Sequence, residues 1–289
     1  AGSSLDLYYA AFRIPDFLFV TIGSLVSLSV LIPFLVSEYE KKGEGSVNVR
    51  VFIDSVFTIF LGAILILASV VYILAPFFLS HLFPGFDATE KAQVVSLMRV
   101  LLLSPILLGI SNLFGSLTQS KNRFLVYSLS PLLYNLGIIV GIVFLYPSFG
   151  VVGLVWGVVV GAFLHAAVQI PTLQYLDLLP RITLKPQFRY IKKLILLSFP
   201  RTITLSASHI AIFFLLSIAS YMNKGSITVF SFAFNLQSVP LSIFGVSYSM
   251  AAFPTLSRFI AIGDKDKFRE QFISSAQHIL FWIVPSSIL

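Results

Sequence analysis

Asp6, Arg13 and Asp16 stand inside one otherwise apolar stretch at the start of the chain. An ionisable side chain in a hydrocarbon layer costs about 2.5–3.5 kcal/mol on insertion scales, so three in one stretch require a reason. Asp6 and Arg13 are seven residues apart, about two helical turns, and share a helix face. Asp16 lies three residues beyond Arg13, within reach of its guanidinium. Two readings stay open. Arg13 and Asp16 neutralise one another near the outer interface, or Arg13 offers a bidentate fork to a phosphate while Asp6 and Asp16 orient it. Pro15 removes a backbone donor beside these groups, which favours a place lining a cavity.

Other polar groups are scattered through the apolar runs. Arg201 follows Pro200, where it either snorkels to the headgroups or makes a gate contact. His209 lies eight residues further on, on a similar face, and reads as an interhelical hydrogen bonder, with proton coupling as the sharper alternative. Asn135, Asn235 and Gln237 are uncharged and suit either helix-to-helix bonding or the binding of sugars and peptide amides. No catalytic constellation emerges. The four histidines show no metal spacing, cysteine is absent, and there is no nucleophile elbow, paired catalytic carboxylates or Gly-rich phosphate loop. The chain is therefore expected to be no enzyme, to hold no metal or cofactor, and to move any cargo passively or on a gradient.

The elements that must position these groups are membrane helices. Of 289 residues, 57% are hydrophobic and only 11% charged, with a mean hydropathy of +0.95. Soluble domains carry about a quarter charged residues, and a chain of this length cannot enclose so large an apolar surplus. Eight apolar segments follow, at about 5–37, 51–79, 94–117, 124–146, 151–175, 191–221, 227–256 and 272–289. They are long enough to cross a hydrocarbon core roughly 30 Å thick and lack the short alternation of a barrel strand.

Charge placement supports that count. Taking the first, third, fifth and seventh loops to face one side places fourteen of the nineteen basic residues there. The other side keeps Lys91 and Lys224, with Arg99 near the start of its span. The asymmetry makes the odd loops cytoplasmic, explains the net charge of +7, and leaves nucleic acid without support as a partner. The first residue then lies outside, and the chain stops within an apolar run, so it reads as a fragment lacking one earlier helix. Ten prolines within the spans favour bent helices around a hollow centre over a plain anchor.

The first and seventh segments also repeat one another. Ala11-Phe12-Arg13-Ile14 matches Ala233-Phe234-Asn235-Leu236 at an offset of 222, and Gly23 and Ser27 match Gly245 and Ser249 at the same offset. Pro33 and Leu35 match Pro254 and Leu256 after a one-residue slip. Six crossings separate the two segments, so both run in one direction. That predicts a two-lobed, all-α polytopic bundle with parallel six-helix repeats, cargo between the lobes, and the repeated helices lining the cavity. On this reading residues 1–180 form the N-terminal lobe without its first helix, and 181–289 begin a truncated C-terminal lobe.

Leu5-Asp6-Leu7-Tyr8-Tyr9-Ala10-Ala11-Phe12-Arg13-Ile14-Pro15-Asp16, then Pro33 and Ser37-Glu38-Tyr39, resemble the MurJ (MviN) family of lipid II flippases. That family shows T-D-A-F-x-V-A-F-R-I-P-N, then F-V-P and S-E-Y. The similarity continues in Phe83-Pro84-Gly85-Phe86, Asn122-Arg123-Phe124, Pro131 with Asn135, Leu179-Pro180-Arg181, Pro200-Arg201 and Phe253-Pro254-Thr255-Leu256-Ser257. It implies a member of the multidrug/oligosaccharidyl-lipid/polysaccharide exporter superfamily, normally of fourteen helices, of which this chain would hold the second to the ninth.

The implied cargo is an undecaprenyl-pyrophosphate-linked glycopeptide, carried to the outer leaflet of a bacterial inner membrane by alternating access. Membrane lipids, and proteins of cell-wall synthesis or division, are the implied neighbours. Arg13 is the expected pyrophosphate contact, oriented by Asp6 and Asp16, with Asn135, Asn235 and Gln237 along the cavity and Arg201 at a gate. Three stretches depart from the pattern. The family's L-L-R-R is Phe17-Leu18-Phe19-Val20, its A-E-G-A is Gly23-Ser24-Leu25-Val26, and its A-D-R-L is Ala233-Phe234-Asn235-Leu236. Arginines are lost, so export of another polyprenyl-linked oligosaccharide is the second reading, and a membrane scaffold that transports nothing is the third.

Overall fold

The computed structural model describes residues 2–23, 49–121, 123–261 and 263–288, and all regular structure among them is helical. Helix α1 spans Gly2–Gly23, α2 Val49–Leu82, α3 Ala88–Leu101 and α4 Leu103–Ser120. Helix α5, Phe124–Val140, runs on through a π-helical turn at Gly141–Leu145 and a last α-turn at Tyr146–Phe149. Next come α6 at Val151–Ala167, the short α7 at Ile170–Tyr175 and the long α8 at Phe188–Ala219. Helix α9, Ser226–Pro240, continues through a second π-helical turn, Leu241–Val246, into α10 at Ser247–Ala261, and α11 closes the order at Lys265–Ser286. Pro33, Ser37-Glu38-Tyr39, Lys41, Lys42 and the repeat positions Ser27 and Leu35 lie outside the described residues, as does Asn122.

Seven of the eight apolar segments fall on one of these helices or on a succession of them, and the described part of the first, 5–23, falls on α1. Six are long and apolar enough to cross a membrane: 49–82, 88–120, 124–149, 151–175, 198–219 and 226–249. In α1 the three charged residues of the polar group recur in every window of that length, and the first half of α11 is polar. The outward faces are apolar, as a lipid solvent requires. Ile66, Ile73 and Phe77 on α2, Leu132 on α5, and Phe214 and Ile218 on α8 are all largely exposed.

Two compact units form, residues 1–227 and 228–289. In the first, Phe52, Ile53, Val56, Phe60, Ile64 and Ala68 recur along one face of α2 and meet Leu18 and Ile22 of α1 and Leu113, Phe114 and Leu117 of α4. Gly109 on α4 leaves room for the Phe60 ring, into which a Cβ would intrude. The break between α3 and α4 at Leu102 precedes Pro105, which cannot donate to the carbonyl of Leu101.

Helices α5 and α6 touch backbone to backbone. A Cβ on Gly137 would overlap the main chain of Gly161, and one on Gly141 would overlap that of Gly157. Gly153 packs as closely on the carbonyl of Leu145. Glycines four apart on each helix open this seam, the arrangement by which apolar helices gain close van der Waals contact where lipid removes the hydrophobic drive.

At 34 residues α2 is about 50 Å long, well beyond one hydrocarbon thickness. Its first turns, on the side read as cytoplasmic, carry a ladder of polar side chains that holds the connection between α7 and α8. Arg50 pairs with Asp54 at 3.2 Å and donates to the carbonyls of Asp177 at 3.0 Å and Leu179 at 2.8 Å. Asp54 accepts the Arg181 amide at 2.8 Å, Thr58 that of Thr183 at 2.9 Å, and Ser55 that of Gln187 at 3.1 Å. A loop without strands or helix thus satisfies its backbone on side chains spaced one turn apart. Helix α8 then packs on α1 and α2.

In the second unit, α11 stacks on the preceding helices through two aromatic pairs. Phe244 and Trp282 lie 5.6 Å apart and Tyr248 and His278 5.9 Å apart, both nearly parallel.

Candidate functional site

Arg13 and Asp16 stand three residues apart on α1, both partly buried, and each feels the other's charge. Tyr9 stands one turn before Arg13 and also feels its charge. Pro15 between the two removes the helical donor that would otherwise meet the carbonyl of Ala11. Around this pair the fold gathers phenols and an imidazole from other elements. Tyr8, edge-on to Phe12 at 4.8 Å, and Tyr134 of α5 both lie within the field of Asp16. His209 of α8 lies within the field of Arg13, with its ring 6.5 Å from Phe17, and Phe213 packs edge-on to the same Phe17 at 5.6 Å. The stretch Phe17–Val20, apolar where cations were the pattern, therefore packs its first ring against α8.

A second polar layer lies behind Tyr134. Its ring meets His165 of α6 edge-on at 6.3 Å. His165 Nδ1 lies 2.6 Å from the Ser111 hydroxyl of α4, and fully buried Gln169 donates through Nε2 to that hydroxyl at 2.6 Å. The same amide group donates to the carbonyls of Ser111 at 3.2 Å and His165 at 3.1 Å. This network ties α4 to α6 and fixes the wall from which Tyr134 projects. The i,i+4 spacing of His165 and Gln169 in a glycine-rich apolar helix signals such a face, while Tyr8 and Tyr134 carry no sequence mark that distinguishes them from ordinary membrane tyrosines.

Asp6 has a different employment. Its carboxylate is buried and accepts the amide of Gly225, at 2.5 Å, from the turn before α9. The same end of the unit is closed by Gly85, packed on the backbone of Ser220 and donating to its hydroxyl at 3.2 Å. There the Asp87–Glu90 capping box starts α3, and Glu90 reaches Lys224 at 2.8 Å. That hydrogen bond, with the charge of Glu90, holds the Lys224 ammonium above its ordinary pKa.

Of the remaining expected site residues, Asn135 is exposed on α5 beside Tyr134. Asn235 and Gln237 belong to the second unit and are both exposed. Gln237 lines a cavity of about 670 Å³ with Leu236, Pro240, Ile283 and Ser286. Arg201 lies on α8, and its side chain is outside the described residues. Among the described residues no three His, Asp or Glu side chains converge on a metal site. The first unit thus combines one guanidinium, one carboxylate, three phenols and an imidazole along three membrane helices. That set can bind phosphate and hydroxyl oxygens and keep its cation oriented.

A sequence model of the family described as lipid II flippase MurJ matches residues 1–289. The chain is 25% identical over 266 residues to the lipid II flippase MurJ of Burkholderia cenocepacia, covering 89% of this chain and 51% of that one. It is 26% identical over 291 residues to a probable lipid II flippase MurJ of Thermotoga maritima, covering 100% and 56%. With the corresponding protein of Bdellovibrio bacteriovorus the identity is 29% over 291 residues, covering 98% and 55%. The chain therefore spans about half the length of the curated relatives it matches. In fold it is similar to a solved lipid II flippase MurJ in an inward closed conformation, with a TM-score of 0.78 at 24% identity over 99% of this chain and 58% of that one. An inward-facing multidrug resistance MATE family transporter of the MOP superfamily gives a TM-score of 0.78 at 20% identity, over 98% and 64%.

Proposed function

The chain belongs to the lipid II flippase MurJ family, and on that premise we propose that its protein carries a lipid-linked peptidoglycan precursor from the cytoplasmic to the outer leaflet of a bacterial inner membrane. The observation that carries this reading is the Arg13–Asp16 pair, gathered with Tyr8, Tyr134 and His209 on helices of a membrane protein. Arg13 supplies the bidentate fork for a pyrophosphate, and Asp16 holds it in place when the site is empty. The phenols donate to phosphate or sugar oxygens. Transport proceeds by alternating access between lobes divided near residue 180, without making or breaking a covalent bond. Asp6 acts at the outer end through Gly225, Asn135, Asn235 and Gln237 offer amides to the glycopeptide, and Arg201 contributes to a gate. Proteins of cell-wall synthesis or division are the fitting partners.

The test is depletion of the intact protein in its own cell, followed by rescue of a flippase-deficient strain. Lipid-linked precursor accumulates on depletion, the wild type rescues, Arg13→Ala does not, and Arg13→Lys rescues weakly because a point charge replaces a fork. Rescue by Arg13→Ala equal to wild type removes Arg13 from the site, and absence of accumulation removes the peptidoglycan cargo.

A second reading starts from the departures from the family pattern, although the relatives found speak for the first. Asn235 stands where the family pattern has an arginine, and Phe19 and Val20 stand where it has a pair of them. Export of another polyprenyl-linked oligosaccharide, with a less anionic linkage, fits this thinner cationic lining. Accumulation of that glycan carrier, with peptidoglycan precursor unchanged, decides for it.

A further inference from the structure

A groove of about 450 Å³ opens on the lipid-facing side of the first unit, between α2, the α3–α4 break and α6. Its walls are Leu65, Ile73 and Leu103, with Tyr72, Trp156 and one cation, Arg99. Leu65, Tyr72, Ile73, Leu103 and Trp156 are all more than 40% exposed. None of the groups assigned to the transport site lines it.

Arg99 is fixed, not waving. Its Nε donates to the Tyr72 carbonyl at 3.3 Å, and its guanidinium lies 4.6 Å from the centre of the Tyr72 ring. Those contacts use one N–H and one face. No carboxylate pairs with it among the described residues, and its Nη donors have no protein partner there. An arginine side chain merely reaching for bulk headgroups has no need of such an anchor.

Depth adds the second argument. Arg99 is five residues inside its apolar run, which begins at Val94, and Trp156 is five inside the run that begins at Val151. Tyr72 lies seven residues before the end of its own run at Leu79. At 1.5 Å per residue all three sit about 8–10 Å from the same edge of the hydrocarbon. Helical side chains lean toward the N-terminus, so the Arg99 head rises toward that edge, opposite the basic loops. Tyrosine and tryptophan at this level match the aromatic belt of a membrane interface.

Free N–H donors at the edge of the lipid call for an acceptor, and at the level of the aromatic belt the headgroups supply one. We propose that this groove holds one anionic phospholipid of the outer leaflet, its phosphate on the Arg99 Nη donors and its glycerol and upper acyl chain against Tyr72, Leu103 and Trp156. The groove has the size of an ordinary ligand site, and its single positive charge complements one phosphodiester.

The test uses the intact protein, delipidated in mild detergent and titrated in parallel with dioleoyl phosphatidylglycerol and dioleoyl phosphatidylcholine, with retained lipid counted by native mass spectrometry. The wild type retains one phosphatidylglycerol at concentrations where phosphatidylcholine is lost. Arg99→Gln weakens that retention roughly tenfold, the loss of one charge-assisted contact. Leu103→Trp fills the groove without touching the cation and produces the same loss, which keeps the test intact if Arg99→Gln folds poorly. Equal retention of the two lipids overturns the proposal, as does undiminished phosphatidylglycerol on Leu103→Trp. A lipid-free groove in a dimer that Arg99→Gln dissociates assigns it to a second copy and overturns the lipid.

Discussion

Cutting Asp54 tests the ladder that holds the α7–α8 connection, and the outcome can be worked out bond by bond. Its carboxylate accepts the Arg181 amide at 2.8 Å through one oxygen and pairs with Arg50 at 3.2 Å through the other. The side chains are only 16% and 28% exposed, so both bonds are made with part of their water already removed. A hydrogen bond to a charged group contributes about 1.5–3 kcal/mol, and the lower end suits a site at the edge of solvent. Asp54→Ala should therefore make local opening at Arg181 easier by roughly 2 kcal/mol, which is about thirtyfold in amide exchange. Thr58→Ala removes one neutral acceptor, from the Thr183 amide, and should cost about 1 kcal/mol, or about fivefold, at that residue alone. Hydrogen exchange at single-residue resolution over 177–187, in detergent and at one pH, reads both. The reasoning fails if the Arg181 amide exchanges at the same rate in Asp54→Ala as in wild type. It also fails if Thr58→Ala deprotects Arg181 and Gln187 as much as Thr183, because the connection would then open as one unit instead of rung by rung.

Other outcomes follow from the same structure. Gly157→Leu should abolish folded protein, at a cost of at least about 3 kcal/mol, because the side chain would meet the Gly141 backbone; yield and melting temperature in detergent measure it. Asp6→Ala leaves the Gly225 amide without its buried acceptor and should cost about 1.5–3 kcal/mol, read as faster exchange at Gly225 with α5 and α6 unchanged. The start of α11 should be acid-sensitive. The Lys267 amide, and then the Lys267 side chain, hold the Asp264 carboxyl below its ordinary pKa, so its stabilising effect is present above the usual carboxylate range and is lost as pH falls through the lowered value. Exchange in the first turn of α11, corrected for intrinsic rates, should rise over that interval in wild type and be insensitive to it in Asp264→Ala.

Hydropathy alone located the helices because lipid demands it. The apolar segments at 51–79 and 124–146 needed only a few residues at each end to become 49–82 and 124–149. The break at Leu102 was invisible, since Leu101-Leu102-Leu103 is as apolar as any helix interior and only Pro105 marks the place. That Arg13 and Asp16 feel one another's charge was legible from i,i+3 spacing. The approach of Tyr8 and Tyr134 was not, because it depends on how α5 packs on α6, which neither residue's local sequence reveals. Helical spacing put Asp6 on the face of Arg13, but it could not disclose that a turn 219 residues later would bring a donor to it. The rungs from Arg50 to Thr58 escaped for a related reason. Their partners are backbone groups, which every residue carries alike.

The glycine seam between α5 and α6 has a mechanical meaning as well as a stabilising one. Helices that mesh through long side chains can slip by exchanging rotamers, much as brushes slide through one another. At Gly137, Gly141, Gly157 and Gly161 there are no bristles, and any rotation or translation would drive one main chain over the other. These two helices are thereby welded into a plank. In any motion of the first unit they travel as a single stiff piece, even though a π-helical turn at Gly141–Leu145 interrupts the end of α5.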